Sequence, residues 1–151
     1  MSHIRIIVAD QAEAIFYDLS SLKAHPVEVA RMSDPAAHLH DRDFSSDRPG
    51  RSYESFGKAR HAIARENDPR RREAVKFAKA IATRLDQDRR KKEYEQLIVV
   101  AAAPFRSLMR TEFTPDTAAC VVHEVPKDLV HSPVEVLCEH LPTTAQELKS
   151  A

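Results

Sequence analysis

The chain has 151 residues, enough for one domain of ordinary size. Apolar residues make up 42% and charged residues 30%, so a buried core can form and disorder throughout is excluded. The 23 Lys and Arg balance the 23 Asp and Glu, which excludes a globally basic or acidic binding protein while leaving local patches open.

From the N-terminus, residues 3–8 are a short β-branched run and Asp10-Gln11 a turn. Ala14-Ile15-Phe16-Tyr17 reads as a second strand, and Val27-Glu28-Val29-Ala30 alternates with period two as a third. Their short connections predict an antiparallel meander. The texture then changes. Residues 34–62 hold Pro35, Pro49 and both glycines, Gly50 and Gly57, without sustained periodicity, and a connection that long in a compact domain is as a rule functional or flexible. Asp68-Pro69 starts a helix, with aspartate as N-cap and proline at the first helical position. Ala74, Ala78, Ile81 and Leu85 repeat at helical spacing, with Val75, Phe77 and Ala82 widening the stripe, and the helix ends between Arg90 and Glu95. Residues 96–102 are a continuous apolar run, as expected of a central strand covered on both faces. Pro104 opens a short helix through about Arg110, and residues 120–125 form a strand closed by Pro126. Ser132-Pro133-Val134-Glu135 reads as a capping box, predicting a helix over about 133–141. The domain then spans residues 1–142, and 143–151 is a tail, loose or one further helical turn. Strands followed by alternating helix and strand predict an α/β fold, one domain with a mixed sheet of about five strands and flanking helices.

No signal-peptide core appears, and no apolar run approaches the roughly 18 residues of a membrane span. Cys120 and Cys138 lack CxxC spacing and sit in apolar stretches, where buried free thiols are the rule. The expectation is a reduced, cytoplasmic protein with no membrane partner.

Two glycines seven residues apart, where about 7% glycine is usual, exclude a GxGxxG dinucleotide loop and a GxxxxGK[ST] phosphate loop. Gly57-Lys58-Ala59 imitates the end of the latter, but Ser52 stands where its first glycine belongs. Four other places could carry function. Between Arg48 and Arg60, basic Arg48, Arg51, Lys58 and Arg60 alternate with Tyr53 and Phe56 around a single acid, Glu54. Guanidinium groups grip phosphate oxygens, aromatic faces stack on unpaired bases, and Gly50 and Gly57 let backbone N–H groups approach an anion. The alternative is a solvated loop pinned to the sheet by its aromatics.

The long helix is the second place. Across residues 65–92, eleven basic residues stand against five acidic ones, and Arg72, Lys76 and Lys79 share a face that could track a phosphate backbone. A solvated face with i,i+4 pairs (Glu66 with Arg70, Asp86 with Arg90, Asp88 with Lys92) accounts for the same pattern. His38-Leu39-His40-Asp41-Arg42-Asp43 offers metal-ligating groups but no second cluster to complete a site, so it reads as a polar loop. Arg106 and Arg110, i,i+4 on the helix after the buried strand, mark either an anion site at a strand's carboxyl end or a salt-bridged helix. Cys120 and His123, three apart on one strand, point to opposite faces and make no nucleophile–base pair. No residue is assigned a catalytic or metal-binding role, and no cofactor is expected.

The chain resembles the bacterial host attachment proteins, described as required for attachment to host cells. The residues carrying the likeness are Val8-Ala9-Asp10 with Ala14 and Ile15, Asp47-Arg48-Pro49-Gly50-Arg51, Ser55-x-Gly57 and Arg60, Phe77-Ala78, the run from Leu97 to Pro104 with Leu108 and Arg110, Glu124, Lys127-Asp128-Leu129 and Pro133. Order and spacing hold from about residue 4 to 141. Ser107 stands where the family usually has glycine and Val130 where it usually has threonine. The family is distantly similar to the middle domain of archaeo-eukaryotic peptide-chain release factors, which implies a ribonuclease-H-like arrangement. The Gly-Gly-Gln tip used in release chemistry has no counterpart here, so peptidyl-tRNA hydrolysis does not carry over.

Two functions follow. One is a non-catalytic RNA- or ribosome-associated module, affecting attachment indirectly, with Arg48, Gly50, Arg51, Tyr53, Ser55, Gly57, Lys58, Arg60, Arg106 and Arg110 as candidate nucleic-acid or anion contacts. The other is a small regulatory or enzymatic protein binding a phosphorylated metabolite or nucleotide near Gly50, Gly57 and Arg106. A nuclease, using Asp10 with Asp43 and Asp47 around a metal, is a weaker variant of the first.

Overall fold

The computed structural model describes residues 3–34 and 68–148. Five strands form one mixed sheet. They are β1 (Ile4–Ala9), β2 (Glu13–Leu19), β3 (Val27–Ser33), β4 (Gln96–Val100) and β5 (Val121–Val125), in the spatial order β3-β2-β1-β4-β5. The first three are the antiparallel meander that the sequence predicts, and β4 and β5 run parallel to β1. This order is compatible with a ribonuclease-H-like arrangement. The helices are α1 (Pro69–Arg90), α2 (Ala103–Glu112), α3 (Pro115–Ala119) and α4 (Val134–His140), followed by a 3-10 turn at Ala145–Glu147.

Strands β1 and β4 lie at the centre with helices and loops on both faces, which is why their sequences are continuously apolar. One face packs Ile7, Ala9, Phe16, Leu97 and Val99 against Phe77, Ile81 and Leu85 of α1 and Phe105 and Met109 of α2. The opposite face packs Ile4, Ile6, Val8, Ile98 and Val100 against Leu129, Val130, Leu137 and Leu141. The buried stripe of α1 follows the predicted spacing, and Asp68 caps it by accepting from the Arg70 N–H. Val75 stays half-exposed.

One buried position breaks the apolar rule. Arg5 of β1 is 1% exposed, donating to Asp18 at 2.6 Å and to Asp88 at 2.7 Å, with Glu93 at 3.6 Å. Its guanidinium lies 5.4 Å from the centre of the Tyr94 ring, whose hydroxyl donates to the Leu85 carbonyl at 2.7 Å. Burial works against this charge, but the hydrogen bonds to Asp18 and Asp88 outweigh it and hold the guanidinium pKa above its ordinary value.

Two sequence readings are corrected, and two features are new. Asp88 makes no i,i+4 pair with Lys92; it turns inward to Arg5 and Arg84 (3.0 Å), while Lys92 lies past the helix end at φ 63°. There, N–H groups of Lys92 and Glu93 close a Schellman motif on the carbonyls of Arg89 and Asp88. The capping box does not form: Pro133, not Ser132, is the N-cap of α4, and no side chain caps it. Helix α3 was not predicted; Thr114 caps it and, with Thr117, ties it to Asp86 of α1. Finally, Val27 and Val29 of β3 are exposed, because β3 is an edge strand with a register irregularity, and it is Ala30 and Met32 that pack inward.

Removing one member of a buried ion pair strands the other. Arg5→Met and Asp88→Leu should each lower stability by about 3–5 kcal/mol. The double variant should lose less than the sum by at least about 1 kcal/mol in a urea-unfolding cycle. Strict additivity would show that the pair is not coupled.

Candidate ligand-binding cleft

The chain leaves β1 towards β2 and leaves the adjacent parallel β4 towards β5. The carboxyl ends of β1 and β4 therefore form a topological switch point, where open α/β sheets place ligands. A cleft of about 890 Å³ opens there, within the range of small-molecule sites. The sheet end contributes Asp10, Gln11 and Ala12, and the segment after β5 contributes Asp128. The start of α1 contributes Asp68, Arg70, Arg71 and Ala74, and α2 contributes Pro104, Phe105, Ser107, Leu108 and Thr111. Phe77 and Phe105, with ring centroids 6.1 Å apart, join the two helices beneath it.

The carboxylates have structural work as well. Asp10 Oδ1 accepts the N–H groups of Ala12 and Glu13 at 2.8 and 2.7 Å, which holds the β1–β2 turn, and its Oδ2 is 3.9 Å from the exposed His131. Asp68 caps α1 and Asp128 accepts from Val130 at 3.4 Å. Among the described residues, no group of three or more His, Cys, Asp or Glu is placed to hold a metal ion. Neither thiol is activated: burial pushes the pKa of Cys120 and of Cys138 up.

Helix α1 carries an unusual charge distribution. From residue 69 to 83 it holds Arg70, Arg71, Arg72, Lys76 and Lys79 against Glu73 alone, and all five basic residues are exposed. Its first turn contains no acidic residue. Cations at a helix N-terminus oppose the macrodipole, each by roughly 0.3–1 kcal/mol. The acids of its last two turns neutralise other charges: Asp86 meets Arg89 and Arg90 at 2.9 and 3.0 Å, and Asp88 is buried on Arg5 and Arg84. The Arg89 hydrogen bond, outweighing desolvation, holds the Asp86 carboxyl below its usual range. The end of α1 that borders the cleft thus carries five exposed basic residues against the capping Asp68 and Glu73, the latter 3.7 Å from Lys76.

Of the residues singled out in the sequence, Arg106 and Arg110 converge on Glu124 of β5, at 3.4 and 2.7 Å. Other residues of α2 line the cleft. Arg48, Gly50, Arg51, Tyr53, Ser55, Gly57, Lys58 and Arg60 lie outside the described residues, as do His38, His40, Asp43 and Asp47. Sequence reasoning treated Arg70, Arg71 and Asp128 without reference to a cleft. The rule applied to residues 103–110, that ligands gather where a buried strand ends, points equally to Asp10 after the apolar run of β1.

The model of the family "Protein required for attachment to host cells" matches residues 5–141. The chain belongs to that family. The match spans all five strands and both faces of the sheet, so the switch-point cleft is part of the family domain. No curated protein is significantly similar to the chain. Among the described residues no helix is long and apolar enough to cross a membrane.

The turn role of Asp10 separates from any ligand role by substitution. Asp10→Ala should cost about 1 kcal/mol in urea unfolding, because two partly buried N–H groups lose their acceptor. Asp10→Asn keeps an acceptor oxygen and should cost well under half of that. Equal losses would show that the charge, not the turn, matters for stability.

Proposed function

We propose that this chain is a non-catalytic RNA- or ribosome-associated module whose contact surface is the outward face of α1 together with the adjoining cleft. The observation that carries the reading is the accumulation of exposed cations at the positive pole of α1. That choice disfavours the helix itself, and violations of local rules concentrate at functional sites. From Arg72 to Lys79 the basic face extends about 10 Å along the helix axis, beyond the cleft, so a polymer of phosphates matches it better than one phosphate group. The basic-aromatic segment 47–60, read from sequence, and the distant similarity to release-factor middle domains support the same reading. A cytoplasmic location goes with it, and the effect on attachment is then indirect, through RNA or the ribosome.

A second reading, a site for a phosphorylated metabolite or nucleotide, is favoured by one feature: a cleft of mononucleotide size with Arg70 and Arg71 on its rim.

Fluorescence anisotropy of labelled single-stranded RNA from about 50 to 200 mM salt distinguishes them. Affinity should fall steeply with salt. Replacing Arg71, Arg72, Lys76 and Lys79 by Ala should reduce the log–log salt slope by about 3 while leaving the melting temperature unchanged or slightly raised, since all four are exposed and Arg71 and Arg72 oppose the helix dipole. Absence of salt-dependent binding by the folded protein contradicts the proposal. Competition by mononucleotides as effective as by the polymer, at equal phosphate, transfers support to the second reading.

A further inference from the structure

Strand β3 ends the sheet and is hydrogen-bonded to β2 alone among the described strands. The large apolar side chains exposed among the described residues, Val27 at 61% and Val29 at 45%, are both on it. Unpaired backbone groups beside apolar side chains make an edge that another strand can join.

The register of β3 narrows the choice of partner. Ala30 lies opposite Phe16 and Glu28 opposite Tyr17, so Val29 is an extra residue in the strand. In a regular strand residues three apart point to opposite faces; this bulge brings Glu28 and Arg31 to the same face, where Arg31 donates to both carboxylate oxygens of Glu28 at 2.9 and 3.1 Å. Arg31 also lies 4.0 Å from Glu13 of β2. Val27, opposite Asp18, shares the other face with Ala30 and Met32.

We propose that β3 is the interface of a two-fold dimer, pairing antiparallel with β3 of a second copy and extending the sheet to ten strands. With the two-fold axis between Val29 and Ala30, Glu28 faces Arg31 of the second copy and Val27 faces Met32. Because of the bulge, the residues in each pair project from the same face, as directly opposed residues must. The in-chain Glu28–Arg31 bonds and the cross-strand contacts then form a ring of four alternating charges. The edge is complementary to itself, as an isologous contact requires. Sliding the register takes each charge away from its opposite, so the same residues that discourage indiscriminate edge pairing select this one. A seven-residue edge makes a small contact, below about 1,200 Å², so the dimer forms in a concentration-dependent equilibrium.

Sedimentation velocity over a concentration series tests this. The unmodified chain should shift from monomer towards dimer as concentration rises. Glu28→Arg or Arg31→Glu alone places like charges opposite each other twice across the axis and should weaken association about tenfold or more. The combined E28R/R31E exchange restores opposite charges and should recover the dimer. Val27→Lys, at a site already exposed to solvent, should also weaken it. A monomer at every concentration overturns the proposal, as does a dimer insensitive to the single reversals or one that the double exchange fails to restore.

Discussion

The placement of α1, and of its basic end beside the cleft, depends on the buried ion cluster of Arg5. Arg5 is the second residue of the central strand β1 and Asp88 lies in the last turn of α1, and their 2.7 Å contact fastens the C-terminal end of the helix over the start of the strand. The 22-residue helix then runs back across the sheet, and its N-terminus arrives at the opposite end of β1, beside Asp10. Tyr94 closes the arrangement by lying on the guanidinium and bonding to the Leu85 carbonyl. A buried cation among carboxylates is costly to assemble and is weak support for net stability; its contribution is registry. An apolar residue at position 5 would bury as well but would not specify which turn of α1 sits over it.

That registry explains the charge pattern on α1. Asp88 is occupied by Arg5 and Arg84, and Asp86 by Arg89, Arg90 and the threonines that hold α3. Two of the three acids of the helix, Asp86 and Asp88, are therefore committed at its C-terminal end, and Glu73 is the one acid of its first half. At the other end Arg70, Arg71 and Arg72 add to the positive pole of the helix dipole, beside a cleft that itself holds Asp10, Asp68 and Asp128. The neutrality of the whole chain conceals this separation, because net charge sums over a structure whose two halves do different work.

Much of the fold is legible in the sequence, because its signals are local. The period-two and continuous apolar runs mark the strands, Asp68-Pro69 marks the start of α1, and Ala74, Ala78, Ile81 and Leu85 mark its buried face. Three features are not legible. The partner of Asp88 lies 83 residues away in sequence, and at i,i+4 Lys92 is the nearer candidate. The strand order brings Asp10, Arg70, Ser107 and Asp128 into one cleft, although no motif links them. The bulge at Val29 breaks the period-two pattern of β3 and puts Glu28 and Arg31 on one face. The segment 47–60, the most distinctive in composition, lies outside the described residues.

The proposed RNA-contacting surface is the positive pole of α1 and the neighbouring cleft. An amide chemical-shift titration of the isotope-labelled protein with single-stranded RNA tests it most directly. The largest shifts should fall on Arg71, Arg72, Lys76 and Lys79 and on Ser107, Leu108 and Thr111 across the cleft. Shifts confined to the α4 side of the sheet, or none under saturating RNA, would contradict it.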